Sequence, residues 1–254
     1  MKYEVQVLKM GQCNVPGPEV YWMSNWDTWE TLHFWMVVIR GGGKTIVVNT
    51  GPPADLSPLN AAWKAAIDER SQMVRKEEER PEAALARIGI KPADVDYVLV
   101  TPLQAYATGN IPLFTNAQIC LSKRGWIEDF HAPKYKMHIP RKLRIPDDVL
   151  MYLDIQAPDK LRLLEDGEEV LPGIRALWMG VHHRSSMAYV IDSAQGRLAV
   201  SDSYFTYKNI EQMIPLGIME SLDECMHAYA RIRNEADIFL PLYDPLVPGR
   251  LPGT

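Results

Sequence analysis

The sequence is short of several features that would assign a protein class at once. Its three cysteines, Cys13, Cys120 and Cys225, are odd in number, far apart and never in a C-x-x-C pair. This argues against a disulfide framework and a cysteine-held zinc, and leads us to expect reduced thiols in a cytoplasmic protein. Positive charge is also in deficit, with 27 Lys and Arg against 32 Asp and Glu. The resulting charge of −5 offers no basic face for a nucleic acid, so we expect no nucleic-acid partner. No run approaches the ~18 apolar residues of a membrane span, so no membrane is expected either. Met1-Lys2-Tyr3-Glu4 leads straight into an alternating pattern without an apolar leader. There is no internal repeat, no low-complexity linker and no G-x-S-x-G nucleophile elbow.

What is present suits a folded chain. With 254 residues and 47% hydrophobic content, the sequence supports one domain over 1–254. Strands are expected at Tyr3 to Lys9, Leu32 to Arg40 and Lys44 to Asn49, with Gly41-Gly42-Gly43 as a hairpin turn. A helical stretch is expected between Pro58 and Arg80, its charge-rich end read as a solvated face. Pro81 opens a second helix that Gly89 ends. Further strands fall at Asp96 to Thr101, Ala117 to Ser122, Leu161 to Leu164, Ile174 to Met179, Met187 to Ile191 and Arg197 to Val200. Gly125 to Asp154 reads as loop and short helix, Leu216 to Asn234 as an amphipathic helix, and Asp237 to Pro241 as a last strand. The order suggests an α/β sandwich, two packed β-sheets with helices outside.

Val95 to Asn110, V-D-Y-V-L-V-T-P-L-Q-A-Y-A-T-G-N, resembles the strand and loop that carry the H-x-H-x-D-H signature of the metallo-β-lactamase superfamily. The frame stands as Thr101, Gly109 and Asn110. At the ligand positions stand Pro102, Gln104, Tyr106 and Ala107. Four other landmarks occur in the family's order. T-I-V-V-N-T-G-P resembles the D-T-G strand end, with Asn49 at the Asp. Leu171-Pro172-Gly173-Ile174 and the later Gly180 to Met187 resemble the P-G-I and G-G-H-T-P-G-S-M segments, with His182 at the metal-binding histidine. Asp202 stands at the bridging carboxylate, and Tyr243 at the last histidine. L-H-F-W-M-V-V-I-R-G-G-G-K-T most resembles the N-acyl-homoserine-lactonase-like branch. The resemblance implies an αββα fold and a hydrolase ancestry.

In that superfamily histidines and carboxylates hold two metals that activate a bridging water. Pro102 and Ala107 offer no side-chain donor, Gln104 is a neutral amide, and Tyr106 and Tyr243 are phenols with a pKa of about 10. Only His182 and Asp202 keep a ligand type, so no cofactor or metal is expected. His183 follows His182 directly, and both reaching one ion would need a bent loop. His33, His131, His138 and His227 show no ligand spacing. Two classes of function stay open. One is a non-hydrolytic structural or regulatory subunit, a homo-oligomer or a hetero-oligomer with an active paralogue. Its aromatic cluster Tyr21, Trp22, Trp26, Trp29, Phe34 and Trp35 would serve an interface or the wall of a small apolar ligand's pocket. The other is a metal-independent or single-metal hydrolase of an ester, lactone or amide. There His182 would be base, Asp202 its orienter, and Tyr106 and Tyr243 polarising donors, with Ser185, Ser186, Ser201 or Ser203 as a conceivable nucleophile.

Overall fold

A computed structural model of the protein describes residues 2–132 and 144–251. Its first sheet opens on the alternating N-terminal segment, which becomes β1 (Glu4–Pro16), longer than the expected Tyr3 to Lys9. The strand continues because Gly11 absorbs a register shift after Lys9. β1 pairs antiparallel with β2 (Trp29–Gly41), and β2 with β3 (Lys44–Val48) across the glycine turn. β3, β4 (Tyr97–Leu99), β5 (Gln118–Ser122) and β6 (Leu161–Leu164) then run parallel and complete six strands in chain order. The second sheet has the order β11-β10-β9-β8-β7. It comprises β7 (Glu169–Leu171), β8 (Ile174–Trp178), β9 (Met187–Ser193), β10 (Gly196–Ser201) and β11 (Ile238–Pro241). β10 and β11 are parallel and the other pairs antiparallel. One apolar core draws on both sheets, with Ile39, Val47 and Leu99 from the first and Tyr189, Ile191 and Val200 from the second all buried. The α/β sandwich of two sheets with helices is as the sequence implied.

The expected helix over Pro58 to Arg80 is a correction. The helix covers only Ser57–Ala66, followed by short 3-10 turns at Glu69–Ser71 and Glu77–Glu79. Tertiary contacts overrule its propensity. The Asp68 side chain accepts from the Arg70 amide, and the Asn60 side chain exchanges hydrogen bonds with both backbone groups of Met73. Val74 then pairs in both directions with Gln12 on β1. The charge-rich end is not wholly solvated either, because Glu79 is buried and pairs with Lys9. The C-terminal helix begins at Leu222 rather than Leu216, where the Ser221 hydroxyl accepts from the Glu224 amide. A helix at Tyr207–Gln212 went unread in the sequence, while the helical turn at Trp126–His131 falls within the stretch read as loop and short helix. His138 lies outside the described residues.

Candidate functional site

The strand ends bring the landmarks together where the two sheets meet. Asn49 follows β3 in a left-handed backbone conformation, φ 63°. Its amide nitrogen donates to the Thr101 carbonyl at 2.7 Å, and its amide oxygen accepts from the Thr101 nitrogen at 2.9 Å. Thr101, at the end of β4, reaches across to the other sheet, where the Met187 nitrogen donates to its hydroxyl at 2.8 Å. That hydroxyl also meets the Asp202 carboxylate. Asn110 donates to the Thr50, Gly51 and Pro52 carbonyls. Gly109 lies against Pro53, where any Cβ would collide with the backbone. Each residue of the surviving frame therefore has a structural task in this chain.

Asp202 is fully buried at the end of β10. The Ser186 hydroxyl donates to its Oδ2 at 2.6 Å, and His182 Nδ1 lies 3.2 Å from the same oxygen. Burial pushes the Asp202 carboxyl up to about 6, opposed by the Ser186 and Thr101 hydroxyls, and burial pushes His182 down to about 3. Burial thus works against charge on both partners, favouring a neutral imidazole beside a carboxyl that gives up its proton less readily than usual. The loop after Gly180 is bent, so His182 and His183 share one side, their ring centroids 4.1 Å apart. Both face a cavity of about 410 Å³.

Tyr106 and Tyr243 face the same cavity, their ring centroids 6.2 Å apart and nearly perpendicular. Burial, then the Asp202 charge for Tyr106 and the other phenol for Tyr243, holds both well above the ordinary phenol value. The structure thus places His182, Tyr106 and Tyr243 on one wall, with Asp202 behind His182. Gln104 joins them, 2% exposed, with its amide nitrogen lacking any partner among the described residues; the buried Tyr243 hydroxyl has the Tyr106 hydroxyl as its neighbour. The rest of the wall is apolar, including Phe34, Leu59, Trp63 and Phe205. Phe34 lies 5.3 Å from Tyr106 and 5.2 Å from Tyr243 between ring centroids.

The four serines do not reach this wall. Ser185 accepts from the Leu103 nitrogen, Ser186 is bonded to Asp202, Ser201 donates to the Met187 carbonyl, and Ser203 is fully buried. His33, His131 and His227 are also off the cavity. The aromatic cluster divides. Phe34 lines the cavity, and Tyr21 and Trp35 are buried, Trp35 donating to the Asp244 carbonyl. Trp29 lies under Arg70, while Trp22 and Trp26 are 42% and 65% exposed.

Two cavity residues had no signal in the sequence. Cys13 faces the space from β1, its thiol pushed up to about 12 by burial and by the Glu19 carboxylate. Glu19 stands on the short helix Gly17–Val20, and burial pushes its carboxyl up to about 7.

The chain's similarities agree with this geometry. No protein-family model matches the chain. An N-acyl homoserine lactonase of Bacillus cereus is 23% identical over 194 residues, 75% of this chain and 71% of that protein. One from Bacillus thuringiensis is 23% identical over 190 residues, 73% and 70% of the two. Among solved structures, an N-acyl homoserine lactone hydrolase with N-hexanoyl-L-homoserine at its catalytic metal centre superposes with a TM-score of 0.76. It is 20% identical and covers 96% of this chain and 95% of that one. A probable metal-dependent hydrolase from Staphylococcus aureus gives 0.74 at 18% identity, covering 96% and 90%. The chain therefore has the metallo-β-lactamase fold. Within that fold its sequence and structure resemble the N-acyl homoserine lactonases.

The residues here do not fit the two metals of that fold. A metal wants three or four donors. Pro102 and Ala107 supply none, Gln104 is a neutral amide, and the two phenols are held protonated by burial. Among the described residues no three His, Cys, Asp or Glu side chains converge as a metal site.

Proposed function

We propose that this chain is a metal-free, non-hydrolytic protein that binds a small, largely apolar molecule in a lactonase-like cavity. The observation that carries this reading is the site itself. Where the resemblance puts metal ligands, the cavity has Gln104, Tyr106 and Tyr243 on its wall, and the apolar space above them holds about 410 Å³. That volume suits a small molecule. The buried Gln104 amide nitrogen, without a partner among the described residues, supports a ligand that accepts a hydrogen bond there. Cys13, the thiol on the wall, is held protonated, and no serine reaches it. Ligand binding without turnover is the behaviour of a regulatory subunit. The three buried free cysteines support a cytoplasmic setting.

The test is calorimetric titration with decanol, run beside a product assay with decanoyl esters and lactones. We expect saturable binding and no product above background. Product formation that disappears in His182→Ala would overturn this reading in favour of the hydrolase, with His182 oriented by Asp202 and the phenols as donors.

A second reading, assembly with another copy of the chain, draws on the turn that carries Trp22, Met23 and Trp26. All three are exposed, and Met23 and Asn25 adopt left-handed backbone conformations to display them. Light scattering of the wild type and of Trp26→Ser tests it. A dimer lost in the variant is the expected result, and a wild-type monomer removes the reading. A hetero-oligomer with an active paralogue is the alternative outcome, visible as a mixed complex.

A further inference from the structure

Glu19 is the least explained ionisable group on the cavity wall. Its position is fixed by backbone contacts on both sides. The Ile218 nitrogen donates to its carbonyl, the Asn209 side chain donates to the Val20 carbonyl, and the Tyr21 nitrogen closes onto Gly17. Gly217 packs so closely on Pro18 that any Cβ there would collide with its carbonyl. The carboxylate is thus held on the cavity wall rather than trailing in solvent. Among the described residues it makes no hydrogen bond and no ion pair, and burial is the sole influence on its ionisation. A half-buried carboxylate with no partner is costly unless something supplies one.

The rest of the wall states the sign of that partner. Among the described residues no Lys or Arg lines the cavity, and burial pushes His182 and His183 down to about 3, so neither imidazole is a cation there. The aromatic faces of Phe34, Trp63 and Phe205 attract cations and disfavour anions. We propose that the cavity selects an amphiphile with a cationic nitrogen head, an alkyl- or arylalkyl-ammonium ion. Glu19 is its counter-ion, and the hydrocarbon occupies the space between the aromatic walls and the Gln104–Tyr243 end. This rests on the ligand-binding reading above and adds the ligand's charge to it. The ammonium group gives Glu19 a charge-assisted hydrogen bond that none of the described residues supplies.

The experiment compares decylammonium, decanol and decanoate by calorimetry near neutral pH. It uses the full-length wild type, Glu19→Gln, and Ala62→Trp, which plugs the cavity. We expect decylammonium to bind about tenfold tighter than decanol, and decanoate to bind weakest. In Glu19→Gln the preference should disappear while decanol affinity stays within about twofold. Ala62→Trp should remove all binding. If no probe binds the wild type, the ligand-binding reading itself fails. If decanol binds as tightly as decylammonium, that reading stands and the cationic head is refuted. The same refutation follows if the preference survives in Glu19→Gln, or if decylammonium binding survives the plug. A single cooperative thermal transition in each variant excludes misfolding as the cause, and Glu19→Ala gives a second removal of the charge.

Discussion

At the residue scale, the clearest departure from a lactonase-like site is Asn49. An aspartate would accept from the Thr101 nitrogen, but it could not donate to the Thr101 carbonyl at 2.7 Å as the amide does. Asn49→Asp, which restores the family's residue, should therefore destabilise the fold by about 1–3 kcal/mol, because it sets a carboxylate against a buried carbonyl. Urea unfolding checks this, and a more stable variant would contradict it. Glu19 makes a pH prediction. Its carboxyl is raised from an ordinary 4.5 to about 7 in the folded chain. A raised acid favours the folded state fully below its unfolded value, and this is lost as pH rises through the folded value. Glu19→Gln should accordingly melt about 2–4 °C above wild type at high pH, and the difference should shrink as pH falls from about 7 towards 4.5. Melting curves across that range decide it, and a pH-independent difference would contradict the assignment.

At the element scale, the strands were legible and the helices less so. The buried runs of β2, β3, β5 and β9 stand close to where alternation and apolar content put them, because a strand within a sheet must bury these side chains. The stretch after Pro58 misled because its propensity is helical while its fate is set by distant partners. Asn60 grips Met73, and Val74 pairs with Gln12, neither of which periodicity reveals. Asn60→Ala removes both side-chain bonds and should cost about 1–2 kcal/mol. Hydrogen exchange should show the loss first in residues 67–76, and unchanged protection there would contradict the pinning. The site was legible in the same uneven way. The order of motif-like segments pointed to His182, Asp202, Tyr106 and Tyr243, and the structure brings these four side chains near one another. Glu19 and Cys13 were not, since a lone acid or thiol has no spacing to read. The four serines looked plausible in sequence only because nearness along a chain does not say which way a hydroxyl points.

At the scale of the whole molecule, the chain has the metallo-β-lactamase fold, and Thr101 joins its two sheets. It does so through Met187 and Asp202, so this edge works as a structural seam. Thr101→Val leaves the Met187 nitrogen without that acceptor and should destabilise the whole chain by about 2–3 kcal/mol. We take 1–254 as one domain. Its unfolding in urea should then follow a single transition by both fluorescence and circular dichroism.

The central claim is that the donors around this cavity hold a ligand and not metals. Mass spectrometry of metal content tests it most directly, on untagged protein grown with added zinc and iron and purified without chelators. The account predicts less than about a tenth of an equivalent per chain. About one equivalent or more, lost in His182→Ala, would contradict it and mean a rebuilt metal site.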